Sequence, residues 1–272
     1  MRSIQIYLLG IFVLLGFASC EEKIDVDLNT ANAKVVIEAD LNNLDRSQEI
    51  MVSRTVAFDE SRAFEPVNNA VVSVVTGSGR TFNFESIGGG RYSHSNMGII
   101  AQQEYTLNVS VDGETYSSTT RMPNYVEVDS VGVTKENIFN EDYYFVNLSF
   151  DDPEGVENYY KYNVEIIGVG DNSTVMQFNS VYSDKFNDGL HVTHQIGGRN
   201  AEIANGDNVR VRRYCIAKDV YKYWSEYQST NPGSASPANP TSNISNGALG
   251  YFSVAGVKEF VVEINDSFSL ED

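Results

Sequence analysis

The sequence predicts a mainly β protein, with two β-rich domains: an N-terminal sandwich, then a second β domain carrying one short helix. Three observations point there. Short runs alternate apolar with polar residues, as in Thr81-Phe82-Asn83-Phe84-Glu85 and Tyr105-Thr106-Leu107-Asn108-Val109, the period of a half-buried strand. Turn signals separate the runs, among them Gly77-Ser78-Gly79, Gly88-Gly89-Gly90 and Asp112-Gly113, the last a strong hairpin signal. The aromatic residues are 16 Tyr and 14 Phe against 1 Trp, alongside abundant Val, Thr and Asn, a composition that suits sheets better than helices.

The first element is not part of that body. Arg2 precedes a nearly unbroken apolar run from Ile4 to Phe17, closed by Ala18-Ser19-Cys20. The run is shorter than the about 20 residues a membrane-spanning helix needs, and it has the flanks of a secretory leader. The small residues before the cysteine resemble the lipobox of bacterial lipoproteins, with Phe17 where the usual pattern has Leu. That resemblance implies a leader over residues 1–19 that is cut off, and a lipid joined to the Cys20 thiol. Two or more acyl chains anchor stably, since each buried methylene contributes about 0.8 kcal/mol. Residues 20–32 read as an acidic tether, and Glu21-Glu22-Lys23 resembles the surface-export signal of Bacteroidota lipoproteins.

The sandwich domain is expected over 33–123. Its strands are Lys34–Ala39, Glu49–Val56, Ala70–Val75, Thr81–Glu85, Glu104–Val111 and Thr115–Arg121, stopped by Met122-Pro123. The second domain, 124–272, has strands at Val126–Thr134, Tyr143–Phe150, Tyr160–Ile167, Leu190–Ile196 and Val209–Ile216. The period then changes: Val220, Tyr223, Trp224 and Tyr227 share a helical face, which predicts a helix over about 217–229 with Trp224 pinning it to the sheet. A polar, Pro/Gly/Ser/Asn-rich loop follows over 230–248, and Lys258–Ile264 forms a final strand.

A further resemblance rests on motifs spread along the chain: Asn69-Ala70-Val71-Val72-Ser73-Val74, Gly90-Arg91-Tyr92 and the Tyr105–Val109 strand, then Asp152-Pro153-Glu154-Gly155 with Asn158-Tyr159-Tyr160, Tyr223-Trp224, and Ser242-Asn243-Ile244 through Gly250-Tyr251-Phe252. The first set resembles a transthyretin-like or carboxypeptidase-regulatory-like sandwich. The whole resembles a Bacteroidota outer-membrane lipoprotein family classed as a domain of unknown function, whose members are encoded near TonB-dependent transporters of the SusC type. The resemblance implies no catalytic residues.

Charge and chemistry narrow the function classes. A formal charge of −18 repels phosphate backbones and anionic lipid surfaces, so no nucleic-acid partner is expected, and outer-membrane lipid is to be held through Cys20 acylation. Cys215 has no partner cysteine and reads as a small buried hydrophobe. His191 and His194 lie three apart in a strand-like stretch, so they face opposite ways and cannot simply share a metal. No His-Glu-x-x-His, nucleophile elbow or phosphate loop is present. The expectations are no catalytic residue, no metal and no cofactor. Asn239, Asn243 and Asn246 in the long loop are the candidate binding residues, Asn offering adaptable hydrogen bonds. The expected role is a non-catalytic accessory that binds ligand or docks to a TonB-dependent transporter; a structural or adhesive surface role is the alternative.

Overall fold

A computed structural model describes residues 33–56, 64–167, 178–197, 203–229 and 239–265. The leader, Cys20, the tether and residues 230–238 of the predicted loop lie outside the described residues. All described residues belong to one compact unit, and among them the mainly β prediction with one short helix holds.

The strands of the N-terminal half are β1 (Val35–Asn42), β2 (Gln48–Arg54), β3 (Glu65–Pro66), β4 (Val71–Thr76), β5 (Thr81–Gly88), β6 (Arg91–His94), β7 (Glu104–Val111) and β8 (Glu114–Arg121). After residue 123 come β9 (Ser130–Ile138), β10 (Glu141–Asp151), β11 (Tyr159–Ile167), β12 (Phe178–Ser183), β13 (His191–Gly197), β14 (Asn208–Cys215), helix α1 (Lys218–Ser229) and β15 (Leu249–Glu263). Twelve of these strands form one large sheet, in the order β12-β11-β14-β15-β1-β2-β6-β5-β4-β7-β8, with β3 pairing β2; β13, β10 and β9 make a second sheet.

Two strands carry the large sheet around its corners by changing partners along their length. β5 pairs β4 through Thr81–Phe84 and β6 from Glu85 onward, with a register shift between Ser86 and Gly88. β15 runs parallel to β1 from Leu249 to Ala255, then antiparallel to β14 from Gly256 to Glu263. The chain thus crosses the line drawn at residue 123 a second time, because one strand is shared by both halves.

Parity along β15 sorts the core. Phe252 and Val254 join the sandwich core with Ile37, Leu41, Val74 and Leu107, while Phe260 and Val262 face a second core built on Leu148, Phe150, Tyr160, Tyr162 and Val211. Tyr251, Ala255 and Val257 point the other way, under α1, with Val220, Trp224 and Tyr223. Gly250 to Val257 are all buried, so this stretch has apolar neighbours on both faces and no alternation, as in a strand covered on both sides. That is why its first half escapes a period-two search.

Helix α1 starts at Lys218, one residue inside the predicted start, with Asp219 in its first turn, where a negative charge suits the helix dipole. Beneath it lies a charged knot. Lys161, 4% exposed, reaches Asp40 Oδ2 at 2.5 Å, and its Nζ sits 4.4 Å from the Tyr214 ring, 5.2 Å from Trp224 and 5.9 Å from Tyr251. The ammonium exchanges water for one carboxylate and three ring faces, which ties β11 to β1 under the helix. Trp224 therefore anchors the helix, as its place in the apolar stripe predicts.

Candidate functional site

The richest polar chemistry gathers where β10 ends and β13 begins. Pro153 and Gly155 turn the chain after β10, Gly155 with φ +74°, and a second loop runs from Asp184 to Leu190. Three carboxylates knit the two loops together. Asp152 Oδ1 accepts the Tyr160 hydroxyl at 2.8 Å, Asp184 Oδ2 accepts the Asn158 amide at 2.6 Å, and Asp188 Oδ1 accepts the Gly155 amide at 2.8 Å. One oxygen of each acid lies within 4.8 Å of the others, with Asp152 and Asp184 buried and Asp188 exposed. Burial pushes the Asp152 carboxyl up, against the Tyr160 hydrogen bond and the Gly189 amide that hold it down.

Beside these acids opens a pocket of about 680 Å3, bounded by Tyr159, Asp184, Asp188, Lys218 and Tyr221. Lys218 Nζ pairs with Glu157 Oε2 at 2.9 Å on its rim, and that hydrogen bond holds the Glu157 carboxyl below its usual range. The two loops also present apolar groups to solvent: Phe186 is 83% exposed, Val156 55% and Leu190 55%. The arrangement offers acid, base and ring surface on loops held by a rigid sheet end, which is the make-up of a binding surface.

Behind this corner a buried relay crosses the second core. Arg213 is fully buried, its guanidinium 4.2 Å from the Phe150 ring and 4.3 Å from Tyr160. Its Nη1 donates to the Val126 carbonyl, and its Nε donates to the Tyr162 hydroxyl at 3.1 Å. That hydroxyl is 2.8 Å from His194 Nδ1; with its own oxygen accepting from arginine, it donates to the ring nitrogen. The His194 ring stacks on Tyr182 with centroids 4.3 Å apart. Burial, and then the charge of Arg213, push His194 down to about 3, so the imidazole is neutral near pH 7. Arg213 stays charged, and ring faces with oxygen acceptors take the place of a carboxylate. His194 also borders a shallow pocket of about 560 Å3 with Tyr182 and Gln195.

The histidine reading holds: His194 is buried while His191 is exposed and pairs with Asp151 at 2.7 Å. Cys215 is a free, buried thiol, its pKa raised by burial. The three candidate asparagines are not brought together as one polar face. Asn239 is exposed. Asn243 spends its amide on the Phe252 backbone, donating to the carbonyl at 2.9 Å and accepting the amide at 2.9 Å. Asn246, with φ +58°, donates from Nδ2 to the Thr115 carbonyl at 2.7 Å. With Ser245 N–H donating to the Ser117 carbonyl at 2.8 Å, this part of the loop covers β8, an end strand of the large sheet. These amides serve the fold.

Sequence reasoning missed Arg213 and the acid-knit loops. Arg213 had a signal: it shares the parity of Val209, Val211 and Cys215, the inward face of β14. Asp152, Asp184 and Asp188 had none, because acids recur throughout the chain and only the fold brings these three together.

Among the described residues no helix is long and apolar enough to cross a membrane. No curated protein matches the chain. A family model described as a domain of unknown function, DUF4249, matches residues 21–260, from just after Cys20 to well inside β15, and the chain therefore belongs to the DUF4249 family.

Proposed function

We propose that the protein is a lipid-anchored, non-catalytic accessory of the outer membrane that binds ligand or docks to a TonB-dependent, SusC-like nutrient transporter. The observation that carries this reading is the loop corner at the end of β10, where Phe186, Val156 and Leu190 are exposed on two joined loops and Val156 lines a pocket of about 680 Å3. Exposed apolar groups clustered on loops mark contact sites when a rigid scaffold presents them. Cys20 fits the anchor, and the 12 residues between it and Ala33 give the body about 40 Å of reach at full extension. Transport energy would come from the transporter, so reversible binding is all this chain has to supply.

The test is affinity purification of the tagged protein from outer membranes, with uptake measured in a deletion strain. The reading expects a co-purified barrel, loss of that partner in a Phe186→Ser/Val156→Ser variant, and reduced uptake. Unchanged uptake with no co-purified barrel would overturn it. Absence of lipid at Cys20 by mass spectrometry would remove the anchor.

The alternative, a structural or adhesive surface protein, draws on a different observation. β9 is an edge strand of the smaller sheet, with Val131 and Ile138 exposed along it and Phe139 exposed in the turn just beyond it, and open apolar edges template pairing with other chains. Concentration-dependent self-association with intact uptake would favour this reading.

A further inference from the structure

We infer that Asp129, Asp151 and His191 form a binding site for a divalent transition metal of the zinc class. One ligand atom from each residue lies within 4.8 Å of the other two, and all three side chains are exposed. These ligands are distinct from the carboxylates that knit the loops: Asp151 and Asp152 are successive residues, and of the two only Asp152 is buried.

The backbone holds the three residues in place. Asp151 is paired in register with His191 across β10 and β13, and Ser149 with Ser130 across β10 and β9. Asp129 precedes β9, and its amide donates to the Ser149 carbonyl at 2.8 Å, which fixes the backbone where its side chain departs. The donors thus come from three adjacent chains at one end of one sheet, with β10 in the middle. A carboxylate–imidazole contact of 2.7 Å already joins Asp151 and His191. Ligands around a tetrahedral zinc stand roughly 3.3 Å apart, given bonds of about 2.0 Å, so side-chain rotation is enough to close the set.

Charge points the same way. Among the described residues neither Asp129 nor Asp151 is paired with a lysine or arginine, and the only basic partner of Asp151 is His191. Two carboxylates this close repel each other unless a cation lies between them. The adjoining Asp152, Asp184 and Asp188 deepen the negative potential at this end of the sheet. The imidazole decides the class of ion. Calcium and magnesium take oxygen donors, whereas one nitrogen with two carboxylate oxygens suits zinc, cobalt, manganese or ferrous iron. Three protein donors in an exposed position leave a coordination place open to water or to a donor from a partner.

The test uses the full chain purified in detergent, stripped with chelator, and titrated with Zn2+ by calorimetry and with Co2+ by visible absorption. The expectation is one site, with His191→Gln and Asp129→Asn each weakening it by at least about tenfold, while His94→Gln leaves it unchanged and Asp188→Asn, which removes only a neighbouring charge, weakens it by less than either. All four side chains are accessible on strands or loop ends, and circular dichroism melts confirm that each variant folds. No Zn2+ or Co2+ binding overturns the inference, and so does binding that survives His191→Gln. Loss of binding on Asp188→Asn alone overturns it in favour of the neighbouring carboxylates. None of these results depends on whether a transporter is bound, so the inference and the proposed function stand or fall separately.

Discussion

Gly250→Ala tests the joint on which the two halves depend. Gly250 has φ +89° and lies opposite Ile37 in the parallel pairing of β15 with β1. A Cβ there would stand 2.0 Å from the Ile37 carbonyl oxygen, 2.8 Å from its carbon and 3.1 Å from its nitrogen. All three are backbone atoms in the middle of a sheet, so none can rotate away, and β1 and β15 must separate. The left-handed torsion alone costs an alanine about 1–2 kcal/mol. Prising the strands apart opens hydrogen bonds of about 1 kcal/mol each and loosens Ile37 and Phe252, whose full burial contributes roughly 2 kcal/mol apiece. Together the loss is about 4 kcal/mol, near the top of the single-substitution range. For a body of this size that lowers Tm by roughly 10 °C. Gly79→Ala is the control: its φ is +85° but nothing lies within 4 Å of its would-be Cβ, so only the torsional part, about 1–2 kcal/mol, remains. Urea titrations of the two variants beside the parent measure the difference. If Gly250→Ala falls within about 1 kcal/mol of Gly79→Ala, the backbone collision has been misjudged.

Three other outcomes follow from features already described. His194 is held near 3 when folded and titrates near 6.5 when unfolded, so its neutral form favours the fold fully above about pH 6.5; that contribution is lost as pH falls from about 6.5 toward 3, by up to about 1.4 kcal/mol per pH unit. His194→Gln should flatten that part of a stability–pH curve, and an unchanged slope would refute the assignment. Phe139 is 94% exposed at φ +54°, followed by Asn140 at φ +65°; the double substitution Phe139→Asn/Asn140→Gly suits both torsions and should raise stability by about 1 kcal/mol in a thermal melt. Lys161→Met keeps the ring contacts but leaves Asp40 without its cation, and should cost about 2 kcal/mol by urea titration, the carboxylate being 28% exposed and so partly rehydrated.

Much of the architecture was legible in the sequence because most strands have one wet face. β5, β7 and β8 alternate buried with less buried residues along much of their length, and Asp112-Gly113 takes positive φ at both positions, as the hairpin signal requires. Helix α1 was legible for the same reason at a different period. The misses have physical causes. β12 ends the large sheet on a polar sequence, Phe178-Asn-Ser-Val-Tyr-Ser, with no alternation to detect. The first half of β15 is covered on both faces. The stretch Val126–Asp129 reads as strand in the sequence, yet β9 begins only at Ser130; Val126 is buried, its amide directed at the Cys215 sulfur at 3.4 Å, so its apolar character reflects core contact without a ladder. The candidate site was the least legible part, since Asp152, Asp184 and Asp188 come from two loops that only the fold joins; the proposed metal ligands Asp129, Asp151 and His191 likewise meet only through strand register.

The pairing of Val36 with Leu249 also bears on how the chain reaches its native state. β1 emerges early and must wait for a partner roughly two hundred residues downstream, and closing so wide a loop slows folding. Meanwhile its unsatisfied side is a template for intermolecular strand capture. The unpaired side of β1 is therefore exposed throughout that delay, and variants with a weakened β15 should be the first lost to proteolysis and aggregation.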